Sequence, residues 1–259
     1  METIKLGDFT NLAKHYVNRP AYDTVLLNGI LRLMKKDAKD IILADVGAGT
    51  GKLTKVLAGM GVNKIYAVEP NDAMREEGIA YTKEFPFIKW QAGSGEETGL
   101  PSDSVNWVTM ASSFHWTDPA KSLPEFHRIL KPQGFFTILW NTRNISASSL
   151  HTEIEDRIKE IVPELKRVSS GNKSYTKNWE EVLVSTGHFK NVNFIETDYS
   201  ETMTKSRYID AWYSVNDIQA QAGAERFERI LRMIEQTTAR LEEIVVPYKM
   251  RSWTAQRID

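Results

Sequence analysis

The sequence contains no cysteine. Disulfides, thiolate zinc sites and a cysteine nucleophile are therefore excluded. It also lacks an excess of either charge: 33 basic residues against 34 acidic ones leave a net charge of −1. That balance argues against a sequence-wide electrostatic grip on nucleic acid. No stretch approaches the ~20 apolar residues that cross a bilayer. The longest largely apolar run, Phe135–Trp140, has six residues, one of them Thr137. Residues 1–8 lack the basic-then-apolar order of a secretory signal. A soluble cytoplasmic protein is the expectation, with no membrane partner. What is present is a 41% hydrophobic content over 259 residues, enough for a sizeable core, and seven tryptophans.

The first half alternates short apolar runs with helical patterns. Strands are expected at Ile41–Val46, Lys64–Val68, Phe87–Gln91, Val105–Ala111 and Phe135–Trp140. Helices are expected at Thr50–Gly59, Asp72–Lys83 and Asp118–Leu130, with a turn at Lys131–Gly134. Tyr22–Lys36 carries apolar residues at helical spacing ahead of the first strand. Strands separated by helices read as βαβ units and a parallel sheet. Beyond residue 140 the pattern loosens. Asn141–Ser149 reads as a loop, Leu150–Ile161 and Asn178–Thr186 as helices, and Lys166–Lys177 as a basic, small-residue segment between them. Asn191–Tyr199 and Ile244–Thr254 are strand candidates, the second interrupted by Pro247, which points to an edge or a bulge. Ser206–Val215 and Glu225–Glu243 read as helices. The expectation is one α/β domain with an insertion over 141–190.

The segment Asp45-Val46-Gly47-Ala48-Gly49-Thr50-Gly51 lies between the first strand and the first helix. Glycines there let the backbone approach a ligand, and the helix start offers unpaired N–H groups. A dinucleotide fingerprint needs a glycine where Lys52 stands. A P-loop needs a glycine at Val46 and a hydroxyl at Leu53. An acidic-x-G-x-G-x-G pattern remains. About 20 residues on, an acid closing the second strand is the mark of a ribose site. Glu69, followed by Pro70, stands 24 residues after Asp45.

These residues resemble motif I and the ribose-binding acid of the class I S-adenosylmethionine-dependent methyltransferases. Other stretches are similar to the same family: Gly93-Ser94-Gly95-Glu96 with Leu100-Pro101, and Arg128 to Gly134 before the fifth strand. Ser112-Ser113-Phe114-His115-Trp116 falls at motif IV and lacks the (Asn/Asp)-Pro-Pro-aromatic tetrapeptide of base-modifying amino methyltransferases. Its aromatic-His-Trp run, with Tyr16-Val17-Asn18-Arg19-Pro20-Ala21-Tyr22, resembles the small-molecule, trans-aconitate methyltransferase-like branch.

The resemblance implies a Rossmann-like, seven-stranded, mostly parallel sheet flanked by helices, with a helical lid after the fifth strand. It divides the single domain into a helical cover (1–36), a cofactor-binding core (37–140), the insertion (141–190) and the final strands and helices (191–259). It implies S-adenosyl-L-methionine as cofactor. The implied cofactor-binding positions are Tyr16, Arg19, Asp45, Gly47, Ala48, Gly49, Gly51, Glu69, Pro70, Met74, Gly95, Glu96 and Ser112.

A small-molecule acceptor is expected against Phe114, Trp116, Trp140, Asn141, Arg143, Tyr175 and Trp179. Because a sulfonium is already an activated methyl donor, transfer is an in-line displacement that asks mainly for positioning. His115 is the candidate base or orienting group. No metal site is read. An RNA or protein acceptor, and a non-catalytic protein that binds the cofactor, are the competing readings. Trp90 and Trp107, on strands, are expected to pack.

Overall fold

A computed structural model describes residues 13–16, 18–167 and 178–259. The elements are α1 (Ala13–Tyr16), α2 (Thr24–Met34), β1 (Leu43–Val46), α3 (Lys52–Gly59), β2 (Ile65–Val68), α4 (Asp72–Tyr81) and β3 (Ile88–Gln91). There follow β4 (Val105–Ala111), α5 (Pro119–Ile129), β5 (Leu130–Arg143), α6 (Ser149–Ile161), α7 (Trp179–Val184) and β6 (Phe189–Thr204). The last are α8 (Lys205–Trp212), α9 (Asn216–Thr237) and β7 (Glu243–Arg257). The strands form one seven-stranded sheet in the order β3-β2-β1-β4-β5-β7-β6. This is a Rossmann-like, mostly parallel sheet flanked by helices.

From β1 to β3 the chain steps outward in one direction, in parallel register. It then returns to place β4 against the other side of β1. That reversal makes a topological switch point at the carboxyl ends of β1 and β4, where open α/β sheets bind ligands. All four residues of β1 are buried, as expected of a strand covered on both faces. Helix starts follow local chemistry: Asn71 accepts from the Met74 amide, and Asp118, ahead of Pro119, accepts from the Ala120 amide.

The described residues divide into two compact units. The first takes 13–20, 142–167 and 198–249; the second takes 21–141, 178–197 and 250–259. Each has its own apolar core. In the second unit Val46, Val108, Phe126, Phe136 and Phe189 pack together. In the first, Ile154, Ile158, Tyr208, Trp212, Ile230 and Ile234 do so. The segment read from sequence as a single insertion is thus split, 142–167 going with one unit and 178–190 with the other.

Several boundaries differ from the sequence reading. The expected turn at Lys131–Gly134 is an irregularity within β5: Val105 pairs with Leu130 and Trp107 with Phe135, so extra residues loop out and Gln133 takes φ 60°. The expected loop after residue 140 starts later, because β5 runs on to Arg143. Strand β6 is longer than Asn191–Tyr199 at both ends. Helix α9 begins before Glu225, breaks at Gly223 and ends at Thr237, where the Thr238 hydroxyl turns back to the Ile234 carbonyl.

Pro247 lies on an interior strand rather than an edge. Thr137 meets Thr254, Thr142 meets Lys249 and Asn144 meets Pro247, so β7 runs antiparallel to β5. Arg251 with Glu196 and Lys249 with Asp198 show it antiparallel to β6 as well. The Pro247 carbonyl accepts from Asn144, just past the end of β5 at Arg143. The missing N–H therefore falls where β5 has no further ladder to offer.

Candidate active site

The site grows from the end of β1. Gly47, Gly49 and Gly51 all have positive φ, at 64°, 58° and 75°. At Gly47 a side chain is excluded twice over, since a Cβ would stand 2.8 Å from both Cβ and Oγ of Ser113. This close approach joins the loop to the end of β4. The Gly47 and Ala48 amides donate to the Val68 carbonyl at 2.8 and 3.1 Å, tying the loop to β2.

Asp45 is fully buried. Its carboxylate accepts from the hydroxyls of Thr54 at 2.6 Å and Thr109 at 2.9 Å. It thus clamps β1 to the first turns of α3 and to β4. Burial pushes its pKa up to about 6, against the lowering effect of the two hydroxyls.

Glu69 follows β2 and is largely buried. One oxygen accepts from the Gly49 amide at 2.8 Å, the other from the Asn71 amide at 2.9 Å. Burial raises its pKa, opposed by these two amides. Met74, buried on α4, faces Gly49, and Pro70 is exposed at the β2 end. Gly51 is backed by Trp90, whose indole also fills the space over Gly78. Trp90 and the fully buried Trp107 are packing residues, as the sequence led one to expect.

At the end of β4, Ser112 is held at φ 54°, an unusual conformation for a residue with a side chain. Its amide donates to the Leu139 carbonyl. Gly95 is buried against Thr117, and the Glu96 carboxylate accepts from the Asp118 amide at 2.9 Å. Phe114, His115 and Trp116 form a short 3-10 turn. Phe114 is buried against Phe136 and Trp179. Trp179 stacks on Trp140 at 4.7 Å, and the Trp140 indole donates to His115 Nδ1 at 3.4 Å. Trp116 is 50% exposed beside His115. The Asn141 amide donates to the Ala21 carbonyl. The second unit thus brings together the glycine loop, Glu69, Met74, Ser112 and an aromatic group around His115.

Tyr16, Arg19 and Arg143 belong to the first unit. Arg19 stacks on Tyr16 and donates to the hydroxyl and carbonyl of Ser214. Arg143 covers the Trp212 ring. Tyr175, Val17, residues 1–8 and most of the Lys166–Lys177 segment lie outside the described residues. Three contributors had no sequence signal. Thr54 and Thr109 reach Asp45 only through the register of β1 and β4, and the Ser113 contact with Gly47 depends on the same switch point. Among the described residues no helix is long and apolar enough to cross a membrane.

Residues 44–138 match the family model described as a methyltransferase domain. An uncharacterized methyltransferase-like protein of Schizosaccharomyces pombe is 34% identical over 144 residues, 55% of each chain. An uncharacterized methyltransferase of Mycobacterium tuberculosis is 34% identical over 126 residues, 49% of this chain and 48% of its own. The chain spans about half the length of the curated relatives it matches. A solved structure assigned as a type II methyltransferase from Anaeromyxobacter dehalogenans has a TM-score of 0.67 at 18% identity, covering 92% of this chain and 97% of its own. The protein thus has the Rossmann-like methyltransferase fold, with its sequence likeness to methyltransferase domains centred on residues 44–138.

Proposed function

We propose that the protein is an S-adenosylmethionine-dependent methyltransferase of the small-molecule, trans-aconitate methyltransferase-like branch, moving a methyl group to an oxygen, nitrogen or carboxylate of a small acceptor. The observation that carries this reading is the placement of Glu69. A carboxylate has about four acceptor positions. The amides of Gly49 and Asn71 take two, which leaves two for the neighbouring hydroxyls of a ribose. The glycine loop fits the methionine portion of the same ligand. Its backbone is bare at Gly47, Gly49 and Gly51, and the buried Thr50 hydroxyl has no partner among the described residues.

The sulfonium of that cofactor supplies an already activated methyl group. The protein's part is to bind, orient and exclude water. Asp45 works at one remove, holding the loop between α3 and β4. Gly47 to Gly51, with Ala48, cradle the methionine end. Pro70, Met74, Gly95 and Glu96 are assigned to the adenine end of the ligand, and Ser112 to the turn out of β4. Phe114, Trp116, Trp140 and Trp179 form the aromatic wall for the acceptor, with Asn141 as a polar group beside it. Because Trp140 donates to His115 Nδ1, neutral His115 carries its proton on Nε2 and meets an acceptor oxygen as a donor.

Calorimetry with S-adenosylhomocysteine tests the reading directly. Binding is expected; no heat at about millimolar ligand rejects it. A homocysteine-release screen across carboxylic acids, phenols and amines then identifies the acceptor. On that acceptor His115→Ala is expected to lower turnover while leaving S-adenosylhomocysteine affinity unchanged.

A further inference from the structure

In the first unit, Arg143 at the end of β5 holds its guanidinium 4.1 Å from the Trp212 ring centroid and 5.7 Å from that of Tyr208. The Tyr248 hydroxyl lies near enough to feel its charge. Among the described residues no carboxylate lies within ion-pair distance of it. Each nearby acid has a cation of its own, although Glu201 Oε2 makes no hydrogen bond among the described residues. Glu155 and Asp217 pair with Arg167 at 2.7 and 3.1 Å, and Glu201 pairs with Arg207 at 2.6 Å. Arg19, which also bears on Tyr248, is engaged by Ser214. Of Arg19, Arg143, Arg167 and Arg207, only the last two are paired with these carboxylates.

Around Arg143 stand polar atoms with no partner among the described residues: His151 Nε2, and the Tyr208 hydroxyl and Trp212 Nε1, which face each other without a well-formed hydrogen bond. The three residues are 2%, 0% and 1% exposed. Their rings are neighbours, His151 to Tyr208 at 5.7 Å and Tyr208 to Trp212 at 6.1 Å. Buried polar groups are almost always paired, and a guanidinium cannot be neutralised.

We propose that this cluster is a binding site for the carboxylate of a small organic acid, with Arg143 as its cation and Tyr208, Trp212 and His151 as its hydrogen-bonding groups. The site lies wholly within the first unit; the sequence sets Arg143 among the acceptor residues, but carboxylate binding does not require methyl transfer. Trp212 covers one face of the guanidinium, so its edge is left for a planar partner with two oxygens. One unmatched positive charge suits a monoanion better than a phosphate dianion. Burial, aided by the Arg143 charge, pushes the His151 pKa down to about 4, so the imidazole contributes a hydrogen bond and no second charge. The enclosure of all three rings excludes a protein or nucleic-acid segment. Residues 168–177 contain no acid, and outside the described residues only Glu2 and Asp8 are acidic.

The test uses the full chain with acetate, benzoate and pyruvate as probes, and inorganic phosphate and chloride at matched ionic strength. Binding is followed by thermal shift and by the NMR signals of the Trp212 indole N–H and the His151 ring. A saturable carboxylate response that moves both signals is expected, with phosphate and chloride inert. Arg143→Gln should weaken it at least tenfold, Arg143→Lys less, and Tyr208→Phe severalfold with the cation intact. An equal response to phosphate, no response to any carboxylate, or unchanged affinity in both Arg143→Gln and Tyr208→Phe overturns the proposal. A Glu2→Gln/Asp8→Asn chain should bind as the parent does; a large gain in its affinity assigns the site to an internal acid instead and equally overturns it.

Discussion

Glu69 divides its two oxygens between the glycine loop and the start of α4, so one side chain sets both the ligand contact and the loop that frames it. Glu69→Gln keeps the size but loses the charge-assisted bonds. A loss of about 1.5–3 kcal/mol, or roughly ten- to hundredfold in S-adenosylhomocysteine affinity, is expected by calorimetry. Gly47→Ala should be harsher on the fold. It adds a Cβ 2.8 Å from Ser113 at a φ of 64°, for an expected cost of about 1–3 kcal/mol in urea unfolding. A variant of parental stability and affinity removes the argument that this glycine is obligatory. The glycines, Glu69 and the His115 turn were legible because each depends on local backbone conformation or a short spacing. The Thr54 and Thr109 hydroxyls on Asp45 were not, because threonine on a helix or strand looks the same whether or not an acid faces it.

At the scale of elements, Trp90 is the wedge between β3, α4 and the start of α3. A Cβ on Gly78 would come within 2.2 Å of the Trp90 ring. Gly78→Ala should therefore destabilise by about 1–3 kcal/mol, although alanine is the better helix former. Pairing it with Trp90→Phe should recover part of that loss in a double-mutant cycle; strict additivity contradicts the wedge. The buried strands β1, β2 and β4 were readable as short apolar runs because both of their faces are covered. The later elements were not, for reasons of partnership. β6 alternates exposed and half-buried residues along its length, and β5 continues past its apolar run because β7 pairs with it as far as Asn144. The edge position expected for Pro247 failed because a proline needs only a missing neighbour for its own N–H, and the end of β5 supplies that in mid-sheet.

For the whole molecule, two buried groups respond oppositely to acid. Asp45, raised from 3.8 to about 6, holds its proton more firmly in the folded state. Its contribution to stability is full below pH 3.8 and is lost as the pH rises through about 6. His151, lowered from 6.5 to about 4, contributes above pH 6.5 and loses that contribution as the pH falls through about 4. Between pH 4 and 6 the two effects offset. Urea unfolding at pH 4.5, 6 and 7.5 should show Asp45→Asn losing more stability on acidification than the parent, and His151→Gln losing less. The division into two cores, one per unit, was invisible in a sequence whose helices and strands interleave across it. Arg143, His151, Tyr208 and Tyr248 meet only because three long strands carry distant stretches into one core.

The sheet order has a consequence for how the chain is made. β7 belongs between β5 and β6, both of which are synthesised before it. Until residues 243–257 emerge, β6 has no ladder to join and both flanking strands present open edges. The nascent protein therefore waits with its sheet parted, exposed to proteases and to like chains, and a long-range pairing closes it in one late step.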